Sequence, residues 1–265
     1  MIPIDNPLLW YHLVGQSAGK LRKEPALAVA ALAIVVIAVA LIAIPLKQSG
    51  GFEPGALVVL QLAIATIAAP PLCGPIFAAD YEKGSWDAIV VTRLTAKQIL
   101  IGKVGSRFFL IGALLACFFV FQALNLGAAG GQPPFLKVAL ANLAVYSWTA
   151  LVVSFCCWIS YRSRTAISAL IGSYLTLFIL LLALPFVVSL IEAIFSGFGA
   201  SEFAASRIVE SAHPYNVATA AMDRYSDPIK QPIDSGLLQS PAYAGLSMLF
   251  AYSTLRSIRR QWRKS

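Results

Sequence analysis

Charge is what this sequence has least of. Of its 265 residues only 12% are Asp, Glu, Lys or Arg, while 58% are hydrophobic. Soluble domains carry about 25% charged and 45–50% apolar residues. So few polar residues cannot coat a chain of this length, which excludes an ordinary water-soluble globule. Histidine is equally scarce, with His12 and His213 as its two examples. No carboxylate pair, Ser/His arrangement or metal-ligand cluster falls inside an apolar run, and a membrane-embedded enzyme needs such ionisable groups facing a cavity. Cys73, Cys117, Cys156 and Cys157 all lie in apolar runs, without CxxC spacing or histidine neighbours. Their expected role is that of small buried hydrophobes, and they report nothing on redox compartment or metals. A phosphate loop is lacking too. Gly15-Gln-Ser-Ala-Gly-Lys20 has three residues between its glycines instead of four, and Leu21 where Ser or Thr belongs.

What the sequence does have is long apolar runs. A bilayer core of about 30 Å needs about 20 apolar helical residues to cross it. Six runs qualify: 26–46, 55–79, 108–126, 138–161, 165–191 and 236–255. The second is interrupted by Pro70, Pro71 and Pro75, the fifth contains Pro185, and the sixth is diluted by Gln239, Ser240 and Pro241. The first is too long, and lies too far from the start, for a cleavable signal peptide. The expected fold is an all-α integral membrane protein, with one transmembrane domain over 1–265. Between the last two runs, 192–235 is too short for an ordinary soluble domain. Its Phe195, Phe198, Phe203, Ile208 and Val209 predict short helices at the outer interface.

The formal charge of +8 sits at the ends of the apolar runs. Nucleic-acid binding would need a basic, aromatic-bearing face on a folded domain, so a nucleic-acid partner is excluded. With six spans, fifteen Lys and Arg fall on the side holding both termini and five on the other. Cytoplasmic loops carry the excess of Lys and Arg. Both termini, including the basic tail 256–265, are therefore expected in the cytoplasm.

Two segments add detail. In 1–25, Asn6 and Pro7 form a helix start, since Asn caps free N–H groups and Pro fits the first turn. Trp10, Leu13, Val14 and Leu21 then share one face against His12, Gln16, Lys20 and Lys23, with Arg22 beside them. That pattern predicts a helix lying in the headgroup plane. The second segment, Asp80 to Arg107, gathers three carboxylates and five basic residues. Thr95 and Gln98 form a capping box, so a helix should start near Ala96 and carry Lys103 and Arg107 to the headgroup level. Upstream, Glu82 with Trp86 and Lys83 with Asp87 would pair at helical spacing. The expectation is a short helix with exposed charge and one exposed aromatic, suited to a protein contact.

Glu82-Lys-Gly-Ser-Trp-Asp87, then Thr92-Arg-Leu-Thr95, then Gln98-Ile-Leu-Ile-Gly-Lys103 resembles the segment between the second and third spans of type-2 ABC exporter permeases. Asn6-Pro-Leu-Leu and His213-Pro214 are similar to that family as well. Arg93 departs from it, standing where the family usually has Pro. The resemblance implies that Glu82, Lys83, Gly84, Ser85, Trp86 and Asp87 form a coupling helix contacting a separate ATP-binding-cassette ATPase subunit. It implies an interfacial elbow helix bearing Asn6, Pro7, Trp10, Lys20 and Arg22, and pairing with a second permease subunit as a homo- or heterodimer. ATP and Mg would be bound by the partner, with no cofactor in this chain. The setting would be the lipid of the cytoplasmic (inner) membrane, crossed six times.

Two rival readings stand beside it, a membrane-embedded enzyme and an ion-coupled secondary transporter. The latter calls for inverted repeats with broken helices in both halves around a charged midplane site. Here Gly74 and its prolines break the second run, and no matching break appears in the other half. Gln61, Gln122, Asn142, Ser154, Ser173 and Thr176 supply polar groups in the runs, and helix–helix hydrogen bonding is their expected role. With no charge in the middle of any run, lipid-like, amphipathic or hydrophobic cargo suits the path better than strongly charged cargo. The cargo itself is not named by the sequence.

Overall fold

Proline inside an apolar run removes a backbone donor that hydrocarbon cannot replace, and two of these runs are reshaped by it. A computed structural model describes residues 54–86, 89, 94–126, 135–196, 213–216 and 239–262. The segment 1–25 with Asn6, Pro7, Trp10, Lys20 and Arg22 lies outside the described residues. So do the run 26–46, Asp87, Arg93, the tail 263–265 and most of 192–235. Every regular element among the described residues is helical: α1 (Pro54–Cys73), α2 (Pro75–Glu82), α3 (Ala96–Leu126), α4 (Phe135–Arg162), α5 (Ala166–Phe178), a π-helical turn (Ile179–Ala183), α6 (Leu184–Ser196) and α7 (Gln239–Trp262).

Among the described residues four stretches, 57–82, 96–120, 135–162 and 166–188, are long and apolar enough to cross a membrane. α7 has 24 residues, about 36 Å of helix, but is more polar and falls outside that set. α4 lies at the centre, packing on α1, α2, α3, α5 and α7.

The second run divides at Gly74, where Pro75 opens a new helix. Gly74 is buried, and its N–H donates to the Pro70 carbonyl at 2.7 Å. A side chain added there would meet the Pro70 oxygen at 2.7 Å, so the turn that closes α1 calls for glycine, while the backbone of Leu170 in α5 would stand at ordinary contact distance, 3.4 Å. The N–H groups of Phe77 and Ala78, left free by the restart, both donate to Ser160 Oγ of α4, at 2.9 and 3.1 Å. One turn earlier, Pro71 leaves the Ile67 carbonyl without its helical donor, and Tyr174 Oη donates to it at 3.0 Å. In the fifth run Pro185 does the same to Leu181, and the helix relaxes into the π-turn there.

The helix starts follow the sequence closely. Thr95 N–H donates to Gln98 Oε1 at 2.8 Å while Gln98 N–H donates to Thr95 Oγ1 at 3.3 Å, the reciprocal capping box. α3 then runs 31 residues from Ala96, through the charged stretch into the third apolar run. α5 begins at Thr165, whose side chain accepts the N–H of Ser168.

Candidate functional site

The described part of the expected contact segment, 82–86, sits where the ends of α2, α3, α4, α5 and α7 meet. α2 stops at Glu82, and Gly84 takes a φ of +66°, the left-handed conformation that closes a helix. Lys83 N–H donates to the Ala79 carbonyl at 3.1 Å and Gly84 N–H to that of Tyr81 at 3.2 Å. The segment is therefore a capped helix end followed by a new turn, and Glu82 and Trp86 do not share one helical face.

That turn changes the role of Trp86. Expected as an exposed aromatic, it is only 2% exposed. The chain folds back after Gly84 and sets the indole against Tyr81, Tyr161 and Phe77, with ring centroids at 4.9, 5.9 and 6.1 Å. Trp86 thus fastens the segment to the bundle. The exposed residues of the turn are Glu82, Lys83 and Gly84, with Ser85 half-buried. Glu82 is also engaged, as its carboxylate accepts the Ala166 N–H at 3.0 Å. A negative charge at the free N–H groups of α5 is favourable.

Beneath this turn lies an ion pair. Lys103, expected at the headgroup level, is 1% exposed and pairs with Asp80. Its ammonium also donates to the Ile76 carbonyl at 3.1 Å and stands 5.1 Å from the centre of the Phe77 ring. Asp80 lies in the last turn of α2, where the helix end is already electronegative, so a cation across from it offsets that repulsion. Ser85 Oγ donates to Asp80 Oδ1 at 3.3 Å. The phenols of Tyr81 and Tyr161 both donate to Gln261 Oε1, at 3.0 and 2.8 Å. Arg164 lies 5.8 Å from the Tyr81 ring centre.

Sequence reasoning marked Glu82, Lys83 and Trp86 but missed Lys103 as a core residue, Ser160 as a cap and Gln261 as a latch. Asp80 and Lys103 stand 23 positions apart, and Tyr81 and Gln261 stand 180 apart. No local pattern joins them.

Deeper in the bundle, Gln61, Gln122 and Asn142 form a closed ring of amides. Gln61 donates to Asn142 at 3.0 Å, Asn142 to Gln122 at 2.7 Å, and Gln122 to Gln61 at 3.2 Å. Gln61 also donates to the Leu115 carbonyl at 3.1 Å and Asn142 to that of Val138 at 2.8 Å. Ser154 and Ser247 bond at 3.0 Å between α4 and α7. Ser173 Oγ and Thr176 Oγ1 donate back to the carbonyls of Ala169 and Gly172, at 2.7 and 2.8 Å. Among the described residues no group of three His, Cys, Asp or Glu side chains could hold a metal ion.

A second feature was not legible in the sequence. α4, α5, the π-turn and α7 enclose a chamber of about 390 Å³, with His213 and Pro214 in its wall. His213 Nε2 lies 3.1 Å from the carbonyl of Leu181, the residue whose α-helical donor Pro185 removes. A carbonyl can only accept, so Nε2 carries the proton. Leu181 is 15 residues past Ala166, about 22 Å along the helix. His213 therefore reaches well into the length of the bundle.

Comparison with known protein families and with curated proteins finds no match in either.

Proposed function

We propose that this chain is the membrane-spanning permease subunit of an ATP-binding-cassette transporter, an exporter, with six spans and both termini in the cytoplasm of an inner-membrane setting. A separate ATPase subunit docks on the loop 80–103, binds ATP and Mg, and supplies the energy. A second permease subunit, identical or not, completes the path. The observation that carries this reading is the tied junction around Lys83 and Gly84. A turn joined to five helix ends by an ion pair, an aromatic cluster, the Glu82–Ala166 bond and the Gln261 latch is suited to carry a partner's movement into the bundle. The family-like residues 82–103 and the Lys and Arg distribution support it. So does α7, whose 24 residues suffice in length for a sixth crossing.

The docking surface on this reading is narrower than the segment 82–87. Trp86 and Asp80 hold the turn in place, while Lys83, Gly84 and the outer edge of Glu82 face the partner. The test is affinity purification from the native membrane in mild detergent. A nucleotide-binding subunit should accompany the unmodified chain and be lost with Lys83→Glu, whose thermal unfolding stays unchanged. No nucleotide-binding subunit on the unmodified chain, or undiminished association and export with Lys83→Glu, overturns the proposal.

A further inference from the structure

The charges around the turn at Lys83 do not balance, and the imbalance describes what fits there. Lys83 is exposed on the turn itself. Arg164 is exposed beside it, its guanidinium 5.8 Å from the Tyr81 ring centre, and Ala166, two residues on, bonds Glu82. Arg259 and Arg260 are exposed in the last turn of α7, next to the Gln261 that holds the Tyr81 phenol. Four cations from three separate stretches of chain are thus gathered at one end of the bundle. No described carboxylate answers them. Asp80 pairs with Lys103 and accepts the Ser85 hydroxyl, and Glu82 caps α5. Among the described residues Lys103–Asp80 is the one ion pair.

Arg162, two residues before Arg164, is turned the other way. Its guanidinium lies 4.0 Å from the ring centre of Trp158, one turn back along α4 and toward the hydrocarbon. A cation laid on an interfacial Trp keeps its charge at the level of the headgroups. Arg164 instead leans over Tyr81, within the junction of helix ends. Lipid packs around the sides of a bundle. The end face, across its axis, meets water and whatever docks from it.

We propose that this end face receives an acidic patch, in which carboxylates of the ATPase subunit pair with Lys83, Arg164, Arg259 and Arg260. Such pairing presupposes that a subunit docks on 80–103, and it extends the contact to the α4–α5 connection and the end of α7. Exposed ion pairs contribute little singly, but a set of one sign facing a set of the other speeds encounter and fixes register.

The nucleotide-binding subunit that accompanies the full chain is purified, and its affinity for the chain is measured by biolayer interferometry in phosphatidylcholine nanodiscs, with and without phosphatidylglycerol. Raising salt from about 0.1 to 1 M shortens the screening length from about 10 to about 3 Å and should weaken binding about tenfold. Arg164→Glu should also weaken it about tenfold, while Arg162→Glu, the same change of charge, stays within about twofold of the parent. Binding that ignores salt, or that the two variants weaken equally, overturns the acidic patch and leaves the docking on 80–103 standing. An Arg164→Glu effect that appears only with phosphatidylglycerol in the discs assigns the cations to lipid headgroups and overturns it too. Absence of any nucleotide-binding subunit on the unmodified chain overturns the docking itself, and the acidic patch with it. Should Arg164→Glu fail to fold, the salt dependence of the unmodified chain decides alone.

Discussion

α4 and the helix formed by α5, the π-turn and α6 make an instructive pair. In the central apolar window of α4, 56% of residues are buried, against 12% for 166–188, although the latter is the more apolar of the two. In water the order would be reversed, since burial follows hydrophobicity. In hydrocarbon, lipid tails solvate leucine as well as another helix does, and helices associate through small and polar side chains. α4 has those in quantity: Asn142, Ser147, Thr149, Ser154 and Ser160 are all buried along it. The fifth helix instead exposes Ile171, Phe178, Leu182, Phe186, Leu190 and Ile194. Polar content, and not apolar content, marks the centre of this bundle.

That contrast can be broken from its stronger side first. Asp80→Asn leaves the buried Lys103 ammonium without its counter-charge, and such a loss costs about 3 kcal/mol or more. Denaturant unfolding in micelles should show that drop, and adding Lys103→Met should recover most of it. A single variant as stable as the parent would remove the ion pair from the account. Asn142→Leu opens the amide ring and strands groups on Gln61 and Gln122, an expected loss of about 2 kcal/mol by the same measurement. The smallest effect belongs to the peripheral helix. Phe186→Leu, at a position 68% exposed, should change stability by less than about 0.5 kcal/mol. A loss there comparable to Asn142→Leu would mean that this face packs on protein and not on lipid.

The elements were legible where their cause was local. The Thr95/Gln98 box announced the start of α3, and Pro75 after Gly74 announced the break between α1 and α2. The apolar runs 108–126 and 138–161 lie within α3 and α4, and helix continues beyond both. What escaped was set by pairing across the bundle. Lys103 read as a headgroup cation because only its neighbours in sequence were in view, while Asp80 lies on another helix. Trp86 read as exposed because helical spacing was assumed across Gly84, where the backbone turns instead. His213 stood in the segment 192–235, read as short interfacial helices, and nothing local tied it to the Leu181 carbonyl. The amide ring was half visible, in that Gln61, Gln122 and Asn142 each stood out as polar within apolar runs, but their closure on one another is a product of packing.

The π-turn also has a mechanical meaning. A helix is stiff because each carbonyl is tied to a donor one turn ahead along the same strand of chain. At Leu181, Pro185 removes the donor one α-turn ahead, and a side chain from a distant segment, His213, bonds the carbonyl. The join between α5 and α6 is thus held by one imidazole from a segment that is remote in sequence.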